Sequence, residues 1–220
     1  MAALGDAHCI ARSLKSMVSV VEKMVAWETS EQHVTCPHYR RRCRIVAKCC
    51  EGRAYGCRIC HDDAVVAASG TLHRLDRFSI EQIECARCGL RQRPRERCLA
   101  CFTQFGQYFC EVCCLYDDDH RAKGTYHCDG CGICRVGGCD NFFHCSTCDG
   151  CYPQKTRAQH RCLQARMRGT CPICQESLFD SRIAAMITSC GHHMHTSCFQ
   201  ELVASATTAS WRCPVCQTPM

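Results

Sequence analysis

The sequence predicts a string of small metal-stabilised modules, built mostly of loops, turns and short β strands, in place of one large apolar core. Three observations carry this. The 220 residues hold 28 Cys and 12 His, far above ordinary usage. The cysteines recur as Cys-x2-Cys pairs, the spacing at which a tight turn aims two thiolates at one ion. Leu, Ile and Val are sparse between these pairs. Metal binding must then supply much of the folding free energy, on the order of 10 kcal/mol per structural site. The length suits two or three small domains.

Disulfides are the competing use of so many cysteines. No signal-peptide core stands at the N-terminus, where Ser19 interrupts Met17-Val18 and Val20-Val21. The pairs are therefore read as metal sites of a reducing compartment, with a cytoplasmic or nuclear location expected. No segment is long and apolar enough to span a membrane, so no membrane partner is expected. The formal charge of +6 misleads. Eight zinc ions on 24 thiolates would bring it to about −2, leaving no overall basic field for nucleic acid.

Residues 1–32 contain no Cys-x2-Cys pair. Leu14, Met17, Val18, Val21, Met24 and Val25 recur at helical spacing, which predicts an amphipathic helix. Such a helix either docks on the metal modules or serves as a partner-binding or targeting segment.

A first ligand group occupies residues 33–104: Cys36, His38, Cys49, Cys50, Cys57, Cys60, His61, His73, Cys85, Cys88, Cys98 and Cys101. Twelve ligands suffice for three tetrahedral zinc sites. Cys85/Cys88 and Cys98/Cys101 pair naturally on one ion. How the first eight divide between two ions cannot be read from spacing.

The second group, in residues 105–163, is Cys110, Cys113, His127, Cys128, Cys131, Cys134, His144, Cys145, Cys148, Cys151, His160 and Cys162. The half-motif His-Cys-x2-Cys-x2-Cys occurs twice, seventeen residues apart, as in a short repeat of stacked zinc turns. Glycines between the pairs suit tight turns, so strands and turns with almost no helix are expected.

A basic linker spans 164–170. The last module, 171–217, holds Cys171, Cys174, Cys190, His192, His195, Cys198, Cys213 and Cys216. Thr196 is placed to cap one short helix whose apolar face is Phe199, Leu202 and Val203. Cys9, Cys43, Cys114, Cys139, His8, His33, His120 and His193 are left over. Each leftover cysteine is read as a small buried hydrophobe or a bystander, against an alternative ligand or reactive thiol.

The order of the last eight ligands (three Cys, two His, three Cys) resembles a RING finger of the H2 type. Cys36-Pro37-His38-Tyr39, Cys57-Arg58-Ile59-Cys60-His61-Asp62 and His73-Arg74-Leu75-Asp76-Arg77-Phe78 resemble the CHY zinc finger. Phe105-Gly106-Gln107-Tyr108-Phe109-Cys110, Tyr126-His127-Cys128 and Phe142-Phe143-His144-Cys145 continue into the CTCHY zinc finger. CHY, CTCHY and RING in this order look like the RING finger and CHY zinc-finger E3 ubiquitin ligases, over about residues 33–217. The stretch between His61 and His73 looks longer than in many relatives. Well-studied members carry a C-terminal zinc ribbon that is not found before Met220, so no ribbon contacts are carried over.

The resemblance implies a cross-brace. Cys171, Cys174, His195 and Cys198 would share one zinc, and Cys190, His192, Cys213 and Cys216 the other. All eight or so ions would be structural, with no position left open for catalysis. It implies a RING-type ubiquitin transferase that works as a scaffold without a covalent intermediate and with no catalytic side chain. Its partners would be a ubiquitin-charged conjugating enzyme and a protein substrate recruited through the CHY/CTCHY region. Ile173 and Pro214 would form the apolar groove for the conjugating enzyme, with Trp211 as an aromatic anchor. Loop packing is the plain alternative for all three.

Three rivals remain. A PHD finger also favours a Trp two residues before its seventh ligand, but needs Cys where this chain has His192. A nucleic-acid role could rest on Arg40-Arg41-Arg42 and on Arg91, Arg93, Arg95 and Arg97, although few aromatics interleave for base stacking. A non-catalytic zinc scaffold, or a metal- or redox-responsive interaction module, is the main alternative function.

Overall fold

The computed structural model describes residues 34, 36–70, 73–164, 166–181, 183–205 and 211–219. The helix expected within residues 1–32 lies outside the described residues. The chain forms two compact units that divide after Gly106.

The first unit is built on a four-stranded antiparallel sheet in the order β2-β1-β3-β4. Its strands are β1 (Cys43–Ala47), β2 (Arg53–Tyr55), β3 (Gln82–Cys85) and β4 (Arg91–Gln92). Ile45 faces Ile83 across β1 and β3, and both are buried. With Val46, Ala47 and Phe105 they make a small core. Strands of two to five residues bury too little surface to stand alone.

The helix α1 (Arg58–Ser69) fills the stretch between His61 and His73 that the spacing left as a loop. Its Ala and Asp residues contain no Gly or Pro to break it. The sulfur of Cys57 accepts from the Cys60 N–H at its start. Gly70, in the left-handed region at φ 67°, closes it by donating to the Val66 carbonyl. One turn of this helix thus carries Cys60 and His61, whose side chains leave the axis about 100° apart.

Most ligand turns share one geometry. After seven of the Cys-x2-Cys pairs the next residue is left-handed: Gly89, Phe102, Cys114, Gly132, Asp149, Gln175 and Gln217, with φ between 48° and 75°, while Arg135 and Tyr152, after Cys134 and Cys151, continue as strand. In most of the left-handed cases the N–H donates to the carbonyl of the first cysteine, for example Gly89 to Cys85 at 3.0 Å and Gln217 to Cys213 at 2.8 Å. The pair Cys57/Cys60 departs because its turn opens a helix.

The second unit is a set of two-stranded ribbons. They are β5 (Tyr108–Cys110) with β6 (Leu115–Asp117), β7 (Tyr126–Cys128) with β8 (Ile133–Arg135), β9 (Phe142–Cys145) with β10 (Gly150–Pro153), and β11 (Ala185–Ile187) with β12 (His193–His195). A short turn of helix, α2 (His120–Lys123), ends at Gly124. A Cβ on Gly124 would lie 2.5 Å from the Gly138 nitrogen, and its φ of 59° suits glycine besides. The helix α3 (Thr196–Ser205) follows β12 directly and sets Phe199 against the core. The Thr196 hydroxyl donates to the Ala184 carbonyl at 2.9 Å. Its role is therefore to tie helix to hairpin. These are the small zinc-cluster modules, short strands and short C-terminal helix expected from the sequence.

One core runs through this unit. It contains Cys148, Tyr152, Met167, Cys171, Leu178, Phe179, Met194 and Cys198. Met167, from the stretch before the last module, belongs to it: it is buried, and its N–H donates to the Cys148 carbonyl at 3.1 Å.

Candidate metal centres

Every Cys and His named above as a ligand falls into a group whose donor atoms converge. Cys36, His38, Cys57 and Cys60 form one group, and Cys49, Cys50, His61 and His73 another. This is the division that spacing left open. Cys60 and His61 are neighbours in sequence yet serve different groups, because consecutive residues of α1 point in different directions. Cys85, Cys88, Cys98 and Cys101 make the third group.

In the second unit, Cys110, Cys113, His127 and Cys134 converge, as do Cys128, Cys131, His144 and Cys151. Strand register places the donors. His127 stands opposite Cys134 across β7 and β8, and His144 opposite Cys151 across β9 and β10. A Cβ on Gly130 would meet the His144 ring at 2.5 Å, so glycine lets that ring reach its group. Next, Cys145 lies 3.6 Å from Cys162, and Cys148 lies 3.2 Å from His160 Nε2.

The last eight ligands interleave. Cys174 and Cys198 approach His195 Nδ1 at 3.2 and 3.9 Å. Cys190 and Cys213 approach His192 Nδ1 at 3.3 and 3.6 Å. Cys171 is beside Cys174 and Cys198, while Cys216 is beside Cys213. Loops far apart in sequence are thereby stapled together.

These groups fit zinc. Around a tetrahedral ion, two sulfurs stand about 3.8 Å apart and a sulfur and a nitrogen about 3.6 Å. In the first group Cys57 and Cys60 are 3.6 Å apart, Cys60 and Cys36 3.7 Å, and His38 Nδ1 is 3.4 Å from Cys57. Soft thiolates with imidazole, and no carboxylate donor, are the set zinc prefers.

Within a group the surroundings lower some thiols and raise others, as burial raises Cys85 and Cys213. Burial raises the Cys101 and Cys190 thiols, but the Thr103 and Thr188 hydroxyls and nearby backbone N–H groups outweigh it and bring each to about 6. The Cys151 thiol, donating to Cys131, is the largest cause holding Cys131 at about 4, with the Arg135 guanidinium adding to it. A histidine ligand is held as well. His61 Nδ1 lies 2.9 Å from Asp62 Oδ1, which also accepts from Leu75 N–H at 2.9 Å. Arg58 holds the other carboxylate oxygen at 3.2 Å. This partner fixes the tautomer that turns Nε2 towards Cys49 and Cys50. Asp62 was not singled out from sequence. Its place directly after a Cys-His ligand pair was the available signal.

The leftover residues are placed as follows. Cys43 and Cys114 are buried and Cys139 is exposed. His193 is buried, and its Nε2 is 2.7 Å from the Tyr152 hydroxyl. His120 stacks on Tyr108 with ring centroids 5.7 Å apart. Cys9, His8 and His33 lie outside the described residues.

Of the expected partner-binding residues, Ile173 and Pro214 sit on two matching turns, Cys171-Pro172-Ile173-Cys174 and Cys213-Pro214-Val215-Cys216, and Trp211 precedes the second. Ile173 is 37 % exposed and Val215 46 %. Pro214 and Trp211 are half-buried. Val215 was missed because the proline, not the residue after it, drew the attention. The arginine triplet does not form a basic patch, since Arg41 is buried and donates to the Gly56 carbonyl.

Comparison with known proteins adds two domain matches, a CHY zinc finger over residues 36–108 and a Ring finger domain over residues 169–217. The chain is 42 % identical over 185 residues to "E3 ubiquitin-protein ligase SRFP1" of Oryza sativa subsp. japonica, covering 84 % of this chain and 68 % of that protein. It is 39 % identical over 192 residues to "E3 ubiquitin-protein ligase RZFP34" of Arabidopsis thaliana, covering 86 % and 64 %. Against "Zinc finger protein BRUTUS" of Arabidopsis thaliana it is 35 % identical over 195 residues, 86 % of this chain but 14 % of that one. No helix among the described residues is long and apolar enough to cross a membrane.

Proposed function

Because the chain belongs to the family of E3 ubiquitin-protein ligases that join a CHY zinc finger to a RING finger, we propose that it holds a ubiquitin-charged conjugating enzyme on its RING and directs the ubiquitin to a lysine of a protein recruited through the CHY/CTCHY region. About eight zinc ions hold the scaffold, one per group of four ligands. The observation that carries this reading is the pair of interleaved groups at Cys171–Cys216, which fix two exposed Cys-Pro-aliphatic-Cys turns.

The chemistry needs no side chain of this chain at the reacting bond. The substrate lysine amine attacks the thioester carbonyl, the C–S bond breaks, and an isopeptide bond forms. The RING contributes by restricting the thioester to conformations open to attack. Ile173, Val215 and Pro214 supply the apolar contact for the conjugating enzyme, and Trp211 flanks it. Each zinc has four protein ligands and stays structural.

The test is self-ubiquitination with a panel of conjugating enzymes, comparing wild type with Ile173→Ala. Anchors of this kind cost about 2 kcal/mol or more when truncated. Ile173→Ala should therefore lower the rate at least about tenfold. Activity with no enzyme of the panel would favour a non-catalytic scaffold.

The residue after the last ligand tunes the output. Gln217 is exposed and left-handed, and its carbonyl accepts from Arg212 at 2.9 Å. A neutral amide there hydrogen-bonds without charge assistance. Stimulation of ubiquitin discharge should be weak in the wild type and rise in Gln217→Arg; an unchanged rate would refute the assignment.

A further inference from the structure

The zinc knuckle Cys98–Cys101 presents a surface that neither the zinc site nor the RING uses. Phe102 follows it in the left-handed region, at φ 56°, with 72 % of its surface exposed. At the equivalent position the other left-handed turns carry Gly, Asp, Gln or the buried Cys114. Glycine would fit here without strain, and a large aromatic is disfavoured twice, by its backbone and by its exposure. Leu99, inside the same turn, is 57 % exposed. The backbone beneath both side chains is fixed. The Leu99 N–H donates to the buried Gln92 side chain at 2.9 Å, and Gln92 donates to the Arg97 carbonyl at 3.0 Å. The Phe102 N–H donates to the Cys98 carbonyl at 3.1 Å. A fixed turn thus holds an aliphatic and an aromatic group out to solvent.

The charge around them is one-sided. Between Cys85 and Gly106 there are five arginines and a single acidic residue, Glu96. Arg91 is paired with Glu84 at 3.1 Å, so after the two negative charges of a tetrathiolate zinc centre about +1 remains, carried by the other four arginines. Arg93, Arg95 and Arg97 are exposed on the segment between β4 and the turn. Arg87 reaches the Thr103 hydroxyl, beside Phe102, at 3.2 Å.

We propose that the Leu99/Phe102 knuckle with its flanking arginines is a docking surface for an acidic segment of a partner protein that carries a large apolar side chain. The apolar pair anchors that side chain, and the arginines select acidic flanks and reject basic ones. The idea rests on the recruitment role given to the CHY region and specifies what is recruited. A nucleic acid is the weaker occupant. Phe102 is the lone exposed aromatic on the knuckle, and a stacking track needs several.

The test selects a random dodecapeptide display library on the zinc-loaded full chain, then measures the winners by fluorescence anisotropy. Enriched peptides should be net acidic with Leu, Phe or Trp. They should lose at least about tenfold in affinity for Phe102→Gly and for Arg93→Glu, a loss equivalent to 1.4 kcal/mol. Phe102→Gly should melt at the same temperature as wild type or higher, since it relieves the left-handed position. Neutral or basic winners, winners insensitive to Phe102→Gly, displacement by oligouridine at equal concentration, or a lowered melting point for Phe102→Gly would each overturn the proposal. Discharge of charged conjugating enzyme by the wild-type chain is read in parallel. Its absence with peptide binding intact would strike the ligase reading and spare this surface.

Discussion

Stripping zinc from the full chain with a strong chelator should unfold both units, seen as loss of tertiary amide dispersion, and restoring zinc should reverse it. The buried positions are dominated by ligands: Cys57, Cys85, Cys98, Cys148, Cys171 and Cys213 are each at most 2 % exposed. Large apolar side chains buried to that degree are few, chiefly Ile45, Ile83, Phe105, Tyr116 and Met194. A structural zinc contributes on the order of 10 kcal/mol. A whole domain is stable by about 5–15 kcal/mol. Loss of even one ion is therefore comparable to the entire stability of a unit. Metal-free, the donors must share protons. Cys113 falls to about 5, mainly because Cys134 donates to it, while Cys134 is raised by that same contact and by burial. Zinc deprotonates all the thiols of a group, so acid should release it. A chain that keeps its dispersion after chelation would refute this view of the fold.

Cys148→Ala should cost one zinc ion and also loosen the RING, although Cys148 lies outside residues 171–217. The path is short. His160, beside Cys148, packs on Tyr152 with ring centroids 4.5 Å apart. The Tyr152 hydroxyl and His193 Nε2, 2.7 Å apart, join strand β10 to strand β12. Arg135 and Arg168 both cover the Phe179 ring, at 4.6 and 3.6 Å, and Arg168 also holds Asp149 at 2.5 Å. Leaving a buried polar group of this kind unpartnered costs about 1–3 kcal/mol. Amide exchange at His193–His195 should accelerate by about one to two orders of magnitude. Tyr152→Phe should give a smaller effect in the same direction with the zinc count unchanged. Native mass spectrometry reads the count, about eight in the wild type. Unchanged exchange in Cys148→Ala would separate the RING from its neighbour.

Much of this was legible because metal chemistry writes itself locally. Two donors on one tight turn must be close in sequence, so pairs such as Cys85/Cys88 and Cys213/Cys216 announce themselves. The sparse aliphatics told equally clearly that no large core would form. Which donors share an ion is a long-range property. His73 joins Cys49 and Cys50 only because α1 returns the chain, and nothing in the spacing reports that. The helix itself was hidden, since its buried face is just His61 and Val65, too narrow for a periodic pattern. The bond between Tyr152 and His193 was illegible for the same reason. It depends on two ribbons packing, and His193 between His192 and His195 looked like a spare. Phe102 was overlooked because its meaning lies in a backbone angle, which sequence states only when the residue is glycine.

The central claim is that the two zinc-held turns of the RING position a charged conjugating enzyme for attack. Single-turnover discharge of ubiquitin from that enzyme to free lysine tests it most directly. The zinc-loaded chain should accelerate discharge, Ile173→Ala should remove at least about nine-tenths of the acceleration, and Gln217→Arg should raise it. Equal rates with and without the chain, across conjugating enzymes that other RING proteins activate, would contradict it.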